Sequence, residues 1–231
     1  MLPSCLTDQQ CTPSPYNLPL LHRGDGYLLL PYPLWISFLQ VEELCHLLQE
    51  GMVEDPSGHK IIVFFTTARL TQFYAELFNL LGFSVLEIHS RKSQGHRTKV
   101  SNTFRNGRGL VMFTSDVSAR GMDYPDVSGV IQVGLPTDRA QYIHRLGRTA
   151  RAGKNGHGVL LLCDYERAFL KEVKDLPLEV REGANPEVLL EIVPRVRHAL
   201  GSMKKLSVVC AYQVPCINLI GWLFSLLVLP L

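Results

Sequence analysis

The chain has 231 residues, 46% of them hydrophobic, and a formal net charge of +2 at pH 7. That length holds one sizeable domain with appendages, and the apolar fraction is ample for a core, so a disordered chain is excluded. A total charge this small carries no argument for nucleic-acid binding, which has to rest on where the charges lie. They are unevenly spread: from His89 to Arg108 there are six Lys or Arg residues and no Asp or Glu. The six cysteines include no C-x-x-C pair. They read as reduced structural thiols rather than a metal site or a disulfide framework.

In chain order, residues 1–35 are rich in Pro, Leu and Cys without a sustained period and are expected to be irregular or non-native. No Arg or Lys precedes Arg23, and Asp8 lies within this stretch, which resembles neither a transit peptide nor a secretory signal. From Ile36 to Gln49, Phe38, Leu39, Val41, Leu44, Cys45, Leu47 and Leu48 recur at helical spacing, and Gly51 supplies a stop. From Lys60 the pattern is that of a doubly wound sheet, with strands expected at about 61–66, 84–88, 109–114, 129–134 and 157–163. Helices are expected between them, from Ala68 to Leu81 and from Ser93 to Arg105. Residues 36–180 thus form the main α/β domain, a parallel sheet sandwiched by helices. Between Pro186 and Lys205, Val188, Leu189, Ile192, Val193, Val196 and Leu200 predict a helical extension within 181–213, kinked or interrupted at Pro194. From Leu206 onward no residue is charged, but Pro215, Asn218 and Gly221 break the run. The apolar stretch left is shorter than the roughly 20 residues of a spanning helix, so a membrane anchor is the less favoured expectation.

Two polar blocks carry chemistry. The first runs His144-Arg145-Leu146-Gly147-Arg148-Thr149-Ala150-Arg151, with three arginines and a histidine and no acid among them. On a helix, His144, Arg148 and Arg151 would project from one face toward an anion such as a triphosphate. A solvated basic helix face is the alternative. The second, Thr114-Ser115-Asp116-Val117-Ser118-Ala119-Arg120-Gly121-Met122-Asp123, follows the apolar run Leu110–Phe113, which reads as a buried parallel strand. Polar and glycine residues just past a strand's C-terminal end are where open α/β sheets bind ligands. For Asp123 the alternative is a helix cap or turn residue.

Together with Ile61–Ala68 and Ser93-Gln94-Gly95-His96-Arg97, these blocks resemble motifs IV, IVa, V and VI of DEAD-box ATP-dependent RNA helicases, in the correct order. The run from Ser115 to Val127, with the following Leu135-Pro136, most resembles the fungal mitochondrial subgroup, whose members act on structured RNA such as self-splicing introns. The resemblance implies a RecA-like fold, specifically the second of the two lobes between which such a helicase grips ATP. It implies that Arg148 and Arg151 are arginine fingers reaching the γ-phosphate, that His144 couples them to the first lobe, and that Gly121 and Asp123 lie near the ribose. On the RNA side it implies that Thr67, Gln94, Arg97 and Thr114 touch the phosphate backbone or support contact with it. For Gln94 and Arg97 an ordinary exposed helix face is the alternative. Such contacts position a strand without reading its bases.

No G-x-x-x-x-G-K-[ST] and no Asp-Glu-Ala-Asp occurs in these residues. ATP with Mg²⁺ would therefore be bound mainly by a first lobe outside this sequence, and the chain alone is expected not to hydrolyse ATP. No metal-binding residues are assigned. Two readings follow: the C-terminal half of an RNA helicase, or a non-catalytic module that binds RNA or a first lobe in trans. The resemblance further implies a non-native tail over residues 214–231, a monomer and the mitochondrial matrix, with cytoplasm or nucleus as the alternative to the matrix.

Overall fold

The computed structural model describes residues 22–23, 26–27, 32–116, 123–150, 156–181 and 183–203. A short antiparallel ribbon of β1 (His22–Arg23) and β2 (Gly26–Tyr27) precedes the main body. Helix α1 runs Tyr32–Glu54 and is followed by β3 (Lys60–Phe65), α2 (Ala68–Leu80), β4 (Val85–Ile88), α3 (Gln94–Asn106) and β5 (Leu110–Thr114). Then come β6 (Gly129–Val133), α4 (Arg139–Leu146), β7 (His157–Leu161), a 3₁₀ helix (Asp164–Lys171) and α5 (Pro186–Ser202). Five strands form one parallel sheet in the order β4-β5-β3-β6-β7, so β3 is central and the chain crosses it between β5 and β6.

Alternation along the strands builds two layers on the sheet. Ile61, Val63 and Phe65 of β3, with Val111, Phe113, Ile131 and Val133, pack against α1, α2 and α5. Ile62 and Phe64, with Met112 and Val130, face the other way onto Val100 and Phe104 of α3 and onto Tyr124 and Val127. Both faces of β3 are covered, and all six of its residues are buried, which is why its sequence is a continuous apolar run after Lys60.

Three expectations are corrected. Gly51 does not stop the first helix, which runs on to Glu54. A Cβ at Gly51 would stand 2.8 Å from the Ile61 side chain, so this glycine lets α1 approach β3 rather than ending the helix. The same helix begins at Tyr32, four residues before the expected Ile36. The C-terminal extension is not an appendage either. Helix α5 runs through Pro194, which is exposed, so the carbonyl left unmatched one turn earlier can be met by water. Its Ile192, Val196, Ala199 and Leu200 complete the core against α1 and α2. The expectations for residues 1–21 and 214–231 lie outside the described residues.

Candidate nucleic-acid and nucleotide-facing edges

The C-terminal ends of β4, β5 and β3 lie side by side, and two helices start there. Thr67 caps α2, its hydroxyl oxygen accepting the Leu70 N–H at 3.2 Å. Ser93 caps α3 in the same way, accepting from His96 N–H at 3.3 Å. Each 13-residue helix thus turns an N-terminus, with its unpaired N–H groups and partial positive charge, toward this edge. Thr67 and Gln94 are exposed there. Arg97, half-buried in the first turn of α3, has its Nε buried with no hydrogen-bond partner. A buried donor left unmatched is costly, and a phosphate oxygen would satisfy it.

Thr114 has a different position from the other three. Its side chain is 0% exposed, and its hydroxyl sits 2.9 Å from the carbonyls of both Ile88 and Ser115. It cannot touch a ligand as it stands; it ties the ends of β4 and β5 together beneath the edge.

The arginine-rich block departs from the expected helix. Helix α4 is capped by Asp138, which accepts from Gln141 N–H at 2.7 Å, and it ends at Leu146 with Gly147 as C-cap. Arg148 lies in the following turn, its Nε donating to the His144 carbonyl at 3.2 Å, and Ala150 takes a left-handed φ of 54°. Continuous helical projection of His144, Arg148 and Arg151 is therefore overturned. His144 is exposed on the last turn of α4, and Arg151 lies outside the described residues, as does Gly121.

Arg145 also departs from the sequence reading, in which it counted as one of an unneutralised group. It is 1% exposed, and its Nε and Nη2 reach Asp116 Oδ1 at 2.8 and 2.7 Å. Its guanidinium lies 5.4 Å over the Phe64 ring. This arginine thus joins the segment after β5 to α4 across the sheet face and is not available to a ligand.

Because α4 runs back across the sheet, Arg148 comes to the edge where β3, β5 and β6 begin. There it lines a cavity of about 440 Å³ with Lys60, Arg105, Arg108, Tyr124 and Asp126. Asp123 is exposed beside it, its carbonyl accepting from Arg105 Nε at 3.1 Å. Lys60 is buried, its ammonium donating to the carbonyls of Arg105 and Pro125, both at 2.9 Å. Burial pushes its pKa down, with Asp126 opposing and Arg108 adding to that shift. Lys60 was missed in the sequence, where the only signal is a lysine opening an otherwise apolar strand. Among the described residues, no group of three or more His, Cys, Asp or Glu could hold a metal ion.

The fold and these two edges define a RecA-like helicase lobe. Residues 39–153 match the helicase conserved C-terminal domain. Over 170 residues, 74% of this chain, it is 49% identical to DEAD-box ATP-dependent RNA helicase 26 of Arabidopsis thaliana, covering 20% of that protein. Over 134 residues, 58% of the chain, it is 56% identical to the probable DEAD-box ATP-dependent RNA helicase 48 of the same plant, covering 17% of it. Among solved structures, domain 2 of the DEAD-box helicase Mss116p bound to an RNA duplex superposes with a TM-score of 0.61 at 27% identity, with 82% of each chain covered. The chain carries the C-terminal domain of the DEAD-box RNA helicase family, and it spans about a sixth to a third of the curated relatives' length.

Proposed function

We propose that this chain is the second lobe of an ATP-dependent RNA helicase, holding RNA phosphates at one edge of its sheet and presenting Arg148 toward ATP from the other. The observation that carries the reading is the placement of Thr67, Gln94 and the unmatched Arg97 at two helix N-termini, on the same lobe as an arginine brought to a cavity wall. Positive helix ends and a guanidinium suit phosphate oxygens, and neither reads a base, so the grip is independent of sequence. His144 and Asp123 keep the roles the motifs imply, coupling to a first lobe and meeting the ribose. Gly121 and Arg151 belong to the same proposal through the motifs alone. ATP and Mg²⁺ would be held chiefly by a first lobe, with Arg148 stabilising charge on the transferred phosphoryl group. The similar structures, of Mss116p bound to ssRNA and AMP-PNP and of its domain 2 bound to an RNA duplex, support RNA and nucleotide as the ligands.

The finer subgroup reading, fungal mitochondrial, rests on the run from Ser115 to Val127, and the matrix location and monomeric state rest on the same resemblance. Tagging the full-length product and locating it in cells tests the compartment.

RNA binding tests the phosphate edge. The chain should bind unrelated single-stranded RNAs with similar affinity, weakening as salt rises. Arg97→Ala should lower affinity roughly three- to tenfold and flatten the slope of log affinity against log salt by about 0.7, the loss of one phosphate contact. Binding that Arg97→Ala leaves unchanged in both respects would contradict this edge. Salt-sensitive RNA binding by a lobe whose Arg148 proves inert would favour the non-catalytic module.

A further inference from the structure

We propose that His89 is a positioning residue for the RNA edge, its ring setting the turn that carries Arg91 and Lys92 and leads into α3. This inference rests on the RNA reading above. Five residues separate the end of β4 at Ile88 from the start of α3 at Gln94, and they include Arg91 and Lys92.

His89 is 1% exposed, yet both of its ring nitrogens are used within this short stretch. Its Nδ1 accepts the Arg91 N–H at 3.2 Å, and its Nε2 faces Glu87 Oε2 at 3.3 Å. The other Glu87 oxygen pairs with the Lys92 ammonium. The His89 carbonyl takes the Lys92 N–H at 3.1 Å. Since a backbone N–H points at Nδ1, that nitrogen is the acceptor, and the ring proton sits on Nε2, where it donates to the carboxylate. Burial alone would raise the Glu87 pKa, but the hydrogen bonds from His89 and Lys92 and the Lys92 charge outweigh it and hold the carboxyl below its ordinary range. The imidazole therefore fixes the turn forward through Arg91 and backward through Glu87, and Glu87 in turn restrains Lys92.

An ordinary buried histidine would bond to groups spread through the core, and losing it would loosen the core. Here both ring contacts fall between residues 87 and 91, so losing them frees the turn. Ile88, between the two contacts, is bound on the strand side by the Ser115 N–H and the Thr114 hydroxyl. The sheet end is thus held by hydrogen bonds that do not involve the His89 ring.

Two substitutions separate the nitrogens. In His89→Asn the amide oxygen falls near Nδ1 and can still accept the Arg91 N–H. In His89→Gln the amide reaches only as far as Nε2 and leaves that N–H unmatched. Single-stranded RNA affinity should stay within about twofold of wild type for His89→Asn and fall about five- to tenfold for His89→Gln, with equal thermal midpoints. Amide hydrogen exchange at Arg91, read without RNA, should show protection in wild type and His89→Asn and its loss in His89→Gln. Equal affinities for the two variants, or an Arg91 amide equally protected in both, would overturn the proposal. If wild type binds no RNA, the RNA reading fails by itself, and the exchange measurement still decides whether His89 holds the turn.

Discussion

Arg145 and Arg148 stand three residues apart in one arginine-rich block, but the first is locked to Asp116 beneath α4 while the second reaches a cavity wall. What separates them is burial, not residue type. The ion pair is lopsided, since the Arg145 side chain is 1% exposed and that of Asp116 is 34% exposed. Removing Asp116 strands a charge in the interior, whereas removing Arg145 leaves a carboxylate that water can reach. Asp116→Ala should therefore cost about 3 kcal/mol or more in chemical unfolding, and Arg145→Met distinctly less. Equal losses would mean that the pair is not the buried tie described here.

At the scale of elements, the contact between α1 and α5 contains a buried acid. Glu42 is 3% exposed, and burial raises its pKa from 4.5 to about 7, partly offset by Arg197 of α5. Below the unfolded value the carboxyl is protonated in both states and carries no penalty. As pH rises from about 4.5 to 7, the unfolded chain releases this proton first, so the wild type loses stability relative to Glu42→Gln. The difference should grow to at most about 3 kcal/mol and level off above pH 7. A pH-independent difference between the two proteins would show that Glu42 ionises normally. The elements themselves were largely legible in the sequence. The strands fall within a residue or two of their expected spans because continuous apolar runs between glycines have few other readings. Gly51 misled because glycine permits close approach as readily as it ends a helix, and only the neighbouring Ile61 distinguishes the two. The arginine block misled for a related reason. Helical spacing from His144 to Arg151 is real in the sequence, but Gly147 ends α4 inside it. Nor could any local pattern show that Asp116, 29 residues away, neutralises Arg145.

Across the whole lobe, the sheet divides the work. Strand ends and helix starts face one way with Thr67, Gln94 and Arg97, while α4 carries the chain back and delivers Arg148 to the opposite end. His89 and Lys60 hold the flanking turns from below, one on each edge, and neither was singled out in the sequence because a buried polar residue at a strand end carries no motif of its own. On the function proposed above, Arg148 would serve a phosphoryl-transfer site, and with no phosphate-cradling loop in these 231 residues turnover would require a second lobe. The most direct test is RNA-stimulated ATP hydrolysis by this chain alone, with a separately expressed first lobe of a DEAD-box helicase, and with that lobe plus Arg148→Ala. The expected result is no turnover alone, turnover on mixing, and a loss of about a thousandfold or more in the variant. Turnover by the chain alone, or a mixture whose rate is indifferent to Arg148→Ala, would contradict it.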